Sequence, residues 1–116
     1  MPRVHKTATA FVILFGIVHI AMAPVFFDEF AMRVMWYVAQ GLMGVVVGLL
    51  NIAAVRVGWR DRVTTRLCHL ANCLCLVFGV LYSTVDRALP SYVGTLLFAV
   101  LSVSALAVDR GSEQGR

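Results

Sequence analysis

The chain has 116 residues, of which 60% are hydrophobic and only 14% are charged, and its mean hydropathy is +0.86. This composition excludes a soluble globular domain and predicts a small membrane protein. The net charge of +4 does not indicate nucleic-acid binding, because the basic residues stand at the ends of apolar segments, as at the flanks of membrane helices.

Four apolar segments predict an all-α, polytopic membrane protein with one membrane domain over residues 1–116. Each segment is close to the ~20 residues that cross ~30 Å of hydrocarbon. For the first segment, this length favours a spanning helix over a cleavable signal peptide. The short links between segments predict an antiparallel four-helix transmembrane bundle. The predicted spans are about 8–27, 34–55, 66–85 and 89–108.

Lysine and arginine residues gather on one side of this predicted bundle. Only Arg33 and Arg87 lie on the other side, together with the acidic residues of the two links there. The basic side is expected to be cytoplasmic, which puts both termini inside and predicts a multi-pass protein of the bacterial inner (plasma) membrane. The eight basic residues of that side are Arg3, Lys6, Arg56, Arg60, Arg62, Arg66, Arg110 and Arg116.

Each predicted helix carries one narrow stripe of small or polar residues on an otherwise aliphatic surface. At 100° per residue, the stripe of the second helix contains Trp36, Gln40, Gly44, Val47 and Asn51. Such stripes pack against neighbouring helices in a membrane, so we expect the four to face one another. The other stripes contain Thr9, Val12, Gly16, His19 and Ala23; His69, Asn72, Leu76, Gly79, Ser83 and Asp86; and Ser91, Thr95, Phe98, Ser102 and Ala105.

Five residues are predicted to lie together in the outer half of the bundle: His19, Gln40, Trp36, Tyr82 and Asp86. This outer cluster would bind a quinone or another flat lipophilic ligand, with His19 or Gln40 bonding a carbonyl group and the aromatic rings forming walls. A second interpretation stays open, in which His19 bonds Gln40 or a backbone carbonyl and only joins two helices.

A second polar cluster is predicted in the inner half, from Asn51, His69 and Asn72. Its amides and imidazole are interpreted as structural, forming hydrogen bonds between helices. The arginines at the nearby boundary are expected to meet anionic lipid headgroups.

Several function classes are excluded by the residues available. A haem site is excluded because His19 and His69 differ too much in depth to hold one haem. A proton-coupled drug exchanger requires a carboxylate within the membrane, and no predicted span contains one. Cys68, Cys73 and Cys75 lack a C-x-x-C spacing and lie away from the outer side, so we interpret them as buried apolar residues. No catalytic motif and no metal site are predicted.

A faint internal repeat relates the two halves of the chain. FGIVH at 15–19 aligns with FGVLY at 78–82, which pairs His19 with Tyr82. WYVAQGLMGV at 36–45 aligns with SYVGTLLFAV at 91–100, which pairs Gln40 with Thr95. A duplication would relate two hairpins by an axis along the membrane normal. Apolar segments also match by chance, so both interpretations stay open.

The runs FGIVHIAMAPVFF and WYVAQGLMGVVVGLLN resemble the small four-helix bacterial membrane proteins of the broad DoxX-like neighbourhood. The resemblance lies in size, topology, the histidine of the first helix and the glycine-rich second helix. DoxX-like proteins include subunits of quinone-linked oxidoreductase complexes, so the resemblance implies association with a quinone or a partner protein.

Three functions are compatible with these features. The leading hypothesis is a non-enzymatic accessory or partner-binding subunit in the lipid bilayer, acting with a membrane protein partner or as a homo-oligomer. The second is a subunit that binds a quinone or other lipophile in the outer cluster. The third is a small-solute transporter, in which the polar stripes line a path.

Overall fold

The computed structural model describes residues 1–116 as four long helices joined by short loops. The helices are α1 (Pro2–Phe26), α2 (Met32–Arg56), α3 (Arg62–Val85) and α4 (Leu89–Gln114). All four are long and apolar enough to cross a membrane, which confirms the all-α fold class and the four candidate spanning helices. α1 begins six residues before its predicted span, and α4 continues six residues beyond its own.

The helix starts follow local rules of sequence. Proline stands in the first turn of α1 and of α4, where its missing N–H costs no hydrogen bond. α3 begins after Asp61, whose carboxylate accepts hydrogen bonds from the hydroxyl and the backbone N–H of Thr64, as an N-cap residue does. These hydrogen bonds hold the pKa of Asp61 below its ordinary value.

Each helix packs against two neighbours. α1 contacts α2 and α4, and α3 contacts the same two helices; the α1–α2 pair is the most extensive and the α2–α3 pair the least. α1 and α2 approach closely at Gly16 and Gly41. A Cβ atom on Gly16 would lie 2.5 Å from the carbonyl oxygen of Gly41, so only glycine allows this backbone contact.

The inward-facing residues of α1, α2 and α3 recur every seven positions. This spacing is typical of helices that wrap around one another with a slight left-handed twist. A seven-residue repeat corresponds to 3.5 residues per turn, so the inward-facing positions move away from the stripes predicted at 3.6 residues per turn, and this angular offset grows along the helix. The buried and half-buried rows are His5, Val12 and His19 with Thr9, Gly16 and Ala23; Val34, Gly41 and Gly48 with Tyr37, Gly44 and Asn51; and Thr65, Asn72 and Gly79 with Cys68, Cys75 and Tyr82.

The three cysteines are not all buried. Cys68 and Cys75 lie in the seven-residue rows of α3 and are buried, as predicted, but Cys73 is exposed. Cys73 directly follows Asn72, and a step of one residue turns it about 100° away from the interior. The prediction of three buried cysteines is therefore wrong for Cys73.

The tightly packed core lies in one half of the molecule. This half holds both chain termini and the α2–α3 loop, and we call it the termini end. The other half holds the α1–α2 and α3–α4 loops and surrounds a large cavity; we call it the cavity end. The core residues are Ala8, Val12, Val47, Cys75 and Leu101 in one cluster, and Ala54, Trp59, Cys68 and Ala105 in a second.

Candidate functional site

A cavity of about 670 Å³ lies among all four helices at the cavity end. Its volume falls within the range of about 300–1,000 Å³ that is usual for small-molecule sites, and such sites have mainly apolar and aromatic walls with a few polar groups. The rings of Phe15, Phe27, Phe78 and Phe98 form part of the wall. The polar and charged residues that line the cavity are His19, Arg33, Tyr37, Gln40, Tyr82, Asp86, Ser91 and Thr95.

The imidazole of His19 is held by aromatic rings on the cavity wall. Its ring centroid lies 3.7 Å from that of Tyr37, with an angle of 17° between the planes, and 6.0 Å from that of Phe15. The Nε2 atom of His19 is buried and has no hydrogen-bond partner. Buried polar atoms are rarely left unpaired, and neighbouring side chains cover this one, so a ligand atom reaches it only after those side chains shift.

The structure brings all five residues of the predicted outer cluster to this cavity, since Trp36, Gln40, Tyr82 and Asp86 line it with His19. Their role in ligand binding stays a prediction. The expectation that Trp36 belongs to the inward stripe is wrong, because its side chain is 62% exposed and lies at the cavity edge. The seven-residue row places the next residue, Tyr37, in the interior instead.

The rim of the cavity is polar. Asp86 is the residue at the C-terminal end of α3, and one of its carboxylate oxygens accepts a hydrogen bond of 2.6 Å from the hydroxyl of Ser91. The hydroxyls of Ser83 and Thr95 lie 2.9 Å apart and join α3 to α4 deeper in the cavity wall. These contacts hold α3 and α4 together on this side of the cavity.

Equivalent ring pairs line the cavity in the two halves of the chain. Phe15 packs beside His19 at 6.0 Å, and Phe78 packs beside Tyr82 at 5.8 Å; these are the residues that the internal alignment pairs. The two ring pairs belong to α1 and α3, which are not neighbours around the bundle. They therefore approach the cavity from opposite sides, although the duplication itself stays a prediction.

The residues of the predicted inner cluster divide into two sets. Asn51 and Asn72 are buried and hydrogen-bond to each other. His69 does not join them; its Nε2 atom lies 2.9 Å from a carboxylate oxygen of Asp109, and its ring stacks on Trp59 with centroids 5.6 Å apart. The two sets connect different helix pairs, α2 with α3 and α3 with α4.

A turn at the start of the α2–α3 loop inserts Trp59 into the termini end. Gly58 and Trp59 have φ angles of +61° and +59°, a left-handed conformation that non-glycine residues rarely adopt. Trp59 thereby packs edge to face against His5, with ring centroids 5.4 Å apart, and stacks on His69. Its carbonyl oxygen also accepts a hydrogen bond of 2.9 Å from the Arg116 guanidinium.

Three residues of the cavity and of the termini end were not predicted from the sequence: His5, Tyr37 and Asp109. His5 is fully buried and its Nδ1 atom lies 3.1 Å from the hydroxyl of Ser104. The signal for His5 was present, since it stands four residues before Thr9 on the same helical stripe. His5 and Asp109 both fell outside spans that had been limited to the hydrocarbon thickness.

Comparisons of the chain with protein-family models, with curated proteins and with solved structures found no match in any of the three.

Proposed function

We propose that the chain is a multi-pass protein of the bacterial inner membrane that binds a flat lipophilic ligand of the quinone class in its cavity. In this proposal the four helices cross as an antiparallel bundle with both termini in the cytoplasm, so that the cavity lies in the outer half. The excess of basic residues at the termini end supports this orientation. The aromatic cavity with His19 on its wall supports the ligand, and Nε2 of His19 lacks a hydrogen-bond partner and could bond the ligand once the side chains that cover it shift.

The residues of the cavity fit a quinone ring in size and chemistry. The aromatic walls provide faces on which a flat ring packs, and the cavity volume suits a ring with the first part of an apolar tail. In the tautomer with a proton on Nε2, and once the side chains that cover this atom shift, His19 donates a hydrogen bond to a carbonyl oxygen. The amide of Gln40 offers a second donor, and Tyr37 keeps the imidazole in place by stacking.

The chain would act in this way as an accessory subunit. A bound quinone supplies electron-transfer chemistry, while the protein binds the ring, orients it through His19 and shields it from water. The resemblance to DoxX-like proteins, which include subunits of quinone-linked oxidoreductase complexes, is the reason to expect a membrane protein partner.

The test is quinone retention by the purified protein in lipid nanodiscs. Wild type and His19→Ala are loaded with ubiquinone or menaquinone, washed, and extracted for quantification. Loss of one hydrogen bond to the ring, about 1–1.5 kcal/mol, is expected to lower affinity roughly 5- to 12-fold. His69→Ala is the matched control, because this histidine lies at the termini end and its removal leaves the cavity lining intact.

Equal retention in wild type and His19→Ala, at equal helix content and equal size on gel filtration, would refute the quinone site. Equal losses in both histidine variants would also count against it, because such losses report general destabilisation. Retention that depends on His19 but not on the quinone headgroup would indicate a different lipophile.

Partner binding is the second candidate function, and the exposed apolar side chains at the cavity end favour it. Phe30, Met32, Val85 and Leu89 are each at least 73% exposed and stand at the two loops of this end. These four are the most exposed of the large apolar side chains, and apolar side chains exposed at the loops are typical of an interaction surface. Native mass analysis after gentle detergent extraction tests this; a monomer without partner or second copy contradicts it.

A further inference from the structure

A second cavity, of about 560 Å³, is a groove on the outside of the α1–α2 pair, at the termini end. Only residues of α1 and α2 line it. Its walls are aliphatic, with Ile13, Leu14 and Ile17 on one side and Ile52 on the other. These side chains turn away from the core, since the buried rows of α1 pass through Val12 and Gly16 instead.

Two cationic side chains stand at one end of this groove, Lys6 from α1 and Arg56 from the last turn of α2. Both are exposed, and neither takes part in a salt bridge; the salt bridge of the protein joins His69 to Asp109. No acidic residue lines the groove. An unpaired pair of cations at the end of an apolar groove in a membrane protein is complementary to an anion that carries an apolar chain.

The length of the groove matches one leaflet of a bilayer. Lys6 and Ile17 are eleven residues apart on one helix, which is about 16 Å at 1.5 Å per residue. The hydrocarbon core is ~30 Å thick, so the groove runs from the interface to about the bilayer midplane. An acyl chain of a lipid in that leaflet covers the same distance.

The geometry points to a site for one anionic phospholipid on the α1–α2 groove. Its phosphate lies between the ammonium group of Lys6 and the guanidinium group of Arg56, and one acyl chain runs along Ile13 and Ile17. With the termini in the cytoplasm, the lipid belongs to the cytoplasmic leaflet, where anionic lipids create a negative surface potential. A second helix is a poorer occupant, because helix contacts in membranes favour small residues, whereas five of the nine residues that line this groove are branched aliphatic ones.

The site is separate from the cavity that the proposed function uses, since the two have no lining residue in common. Native mass spectrometry of the full chain, titrated with phosphatidylglycerol or with phosphatidylcholine of identical acyl chains, tests it. We expect wild type to prefer phosphatidylglycerol. The double variant Lys6→Gln/Arg56→Gln is expected to lose about 30-fold in affinity for phosphatidylglycerol, and Lys6→Arg/Arg56→Lys to keep the preference.

The matched control is Arg62→Gln/Arg110→Gln, which removes two exposed charges from the same end without touching the groove. A control loss as large as that of the groove variant overturns the proposal, because binding would then follow net charge alone. No preference between the two lipids in wild type also overturns it, as does a second copy of the chain in place of a lipid.

Leu14→Trp, which fills the groove, should weaken the binding of both lipids, and unchanged binding would contradict the path of the acyl chain.

Discussion

Asn51 and Asn72 exchange two side-chain hydrogen bonds between α2 and α3. The Nδ2 atom of Asn51 donates to Oδ1 of Asn72 at 2.8 Å, and the Nδ2 atom of Asn72 donates back to Oδ1 of Asn51 at 3.2 Å. Both side chains are at most 1% exposed. Since α2 and α3 form the least extensive contact between neighbouring helices, this amide pair is a main link between them.

Replacing one asparagine of the pair should lower the free energy of unfolding by more than that residue's own contribution to the two hydrogen bonds. We expect Asn72→Leu to lower the free energy of unfolding by about 1–3 kcal/mol, because the buried Oδ1 atom of Asn51 loses its donor, while Nδ2 keeps its hydrogen bond to the carbonyl oxygen of Val47. In the double variant Asn51→Leu/Asn72→Leu the loss should be smaller than the sum of the two single losses. Unfolding in detergent mixtures measures this as a double-mutant cycle; strictly additive losses would show that the two amides act independently.

The contact between Gly16 and Gly41 predicts a strong effect of one methyl group. In Gly16→Ala the new Cβ atom meets the carbonyl oxygen of Gly41, so α1 and α2 must move apart, at a cost of about 1–3 kcal/mol. Gly111→Ala is the matched control, because a Cβ atom there meets nothing within 4 Å. Thermal unfolding of both variants decides the point. Equal stability of the two would mean that the α1–α2 contact is looser than described.

The stacking of Tyr37 on His19 predicts that Tyr37 supports ligand binding through its ring and not through its hydroxyl group. Tyr37→Leu should lower quinone retention about 2- to 12-fold, since an aromatic pair contributes about 0.5–1.5 kcal/mol. Tyr37→Phe keeps the stacked ring and should retain nearly all binding. Tyr92→Leu is the control, because Tyr92 is exposed and does not line the cavity. Loss of binding in the phenylalanine variant would assign the effect to the hydroxyl instead.

The two tryptophans should differ sharply in their contribution to stability. Trp59 is 5% exposed and packs between two histidine rings, whereas Trp36 is 62% exposed. Trp59→Ala leaves a cavity in the core and is expected to cost about 3–5 kcal/mol. Trp36→Ala should cost less than about 1 kcal/mol, because it removes a side chain that lies at the surface. Similar losses in the two variants, measured by chemical unfolding, would contradict the inserted position of Trp59.

The four helices could be predicted from the sequence because their signal is physically simple. A run of about 20 apolar residues has few alternatives in a membrane protein. The helix ends were harder, since hydrocarbon thickness limits the apolar span but not the helix that continues into the interface. For this reason His5 and Asp109 were left outside the predicted spans.

At the candidate site, a repeat of 3.6 residues per turn no longer predicts correctly which residues face the interior. Asn51 and Tyr37 are two seven-residue steps apart, and helices that wrap around one another keep such positions inside. The straight-helix calculation instead assigned Trp36 to the interior. In the sequence, only Gly58 indicated the left-handed turn at Trp59. An aromatic residue adopts a positive φ only where tertiary packing stabilises it, and the sequence alone does not show that packing.

The uneven placement of the core has a consequence for how the protein moves. The helix segments of the termini end are held together by packed side chains and by the Asn51–Asn72 hydrogen bonds, while those around the cavity have an open space between them. Local opening requires less free energy where fewer side chains are packed. Amide hydrogens around the cavity should therefore exchange with deuterium earlier than those near Leu101. We therefore expect the cavity end to open while the termini end stays folded, which would allow the proposed ligand to enter without unfolding of the other half.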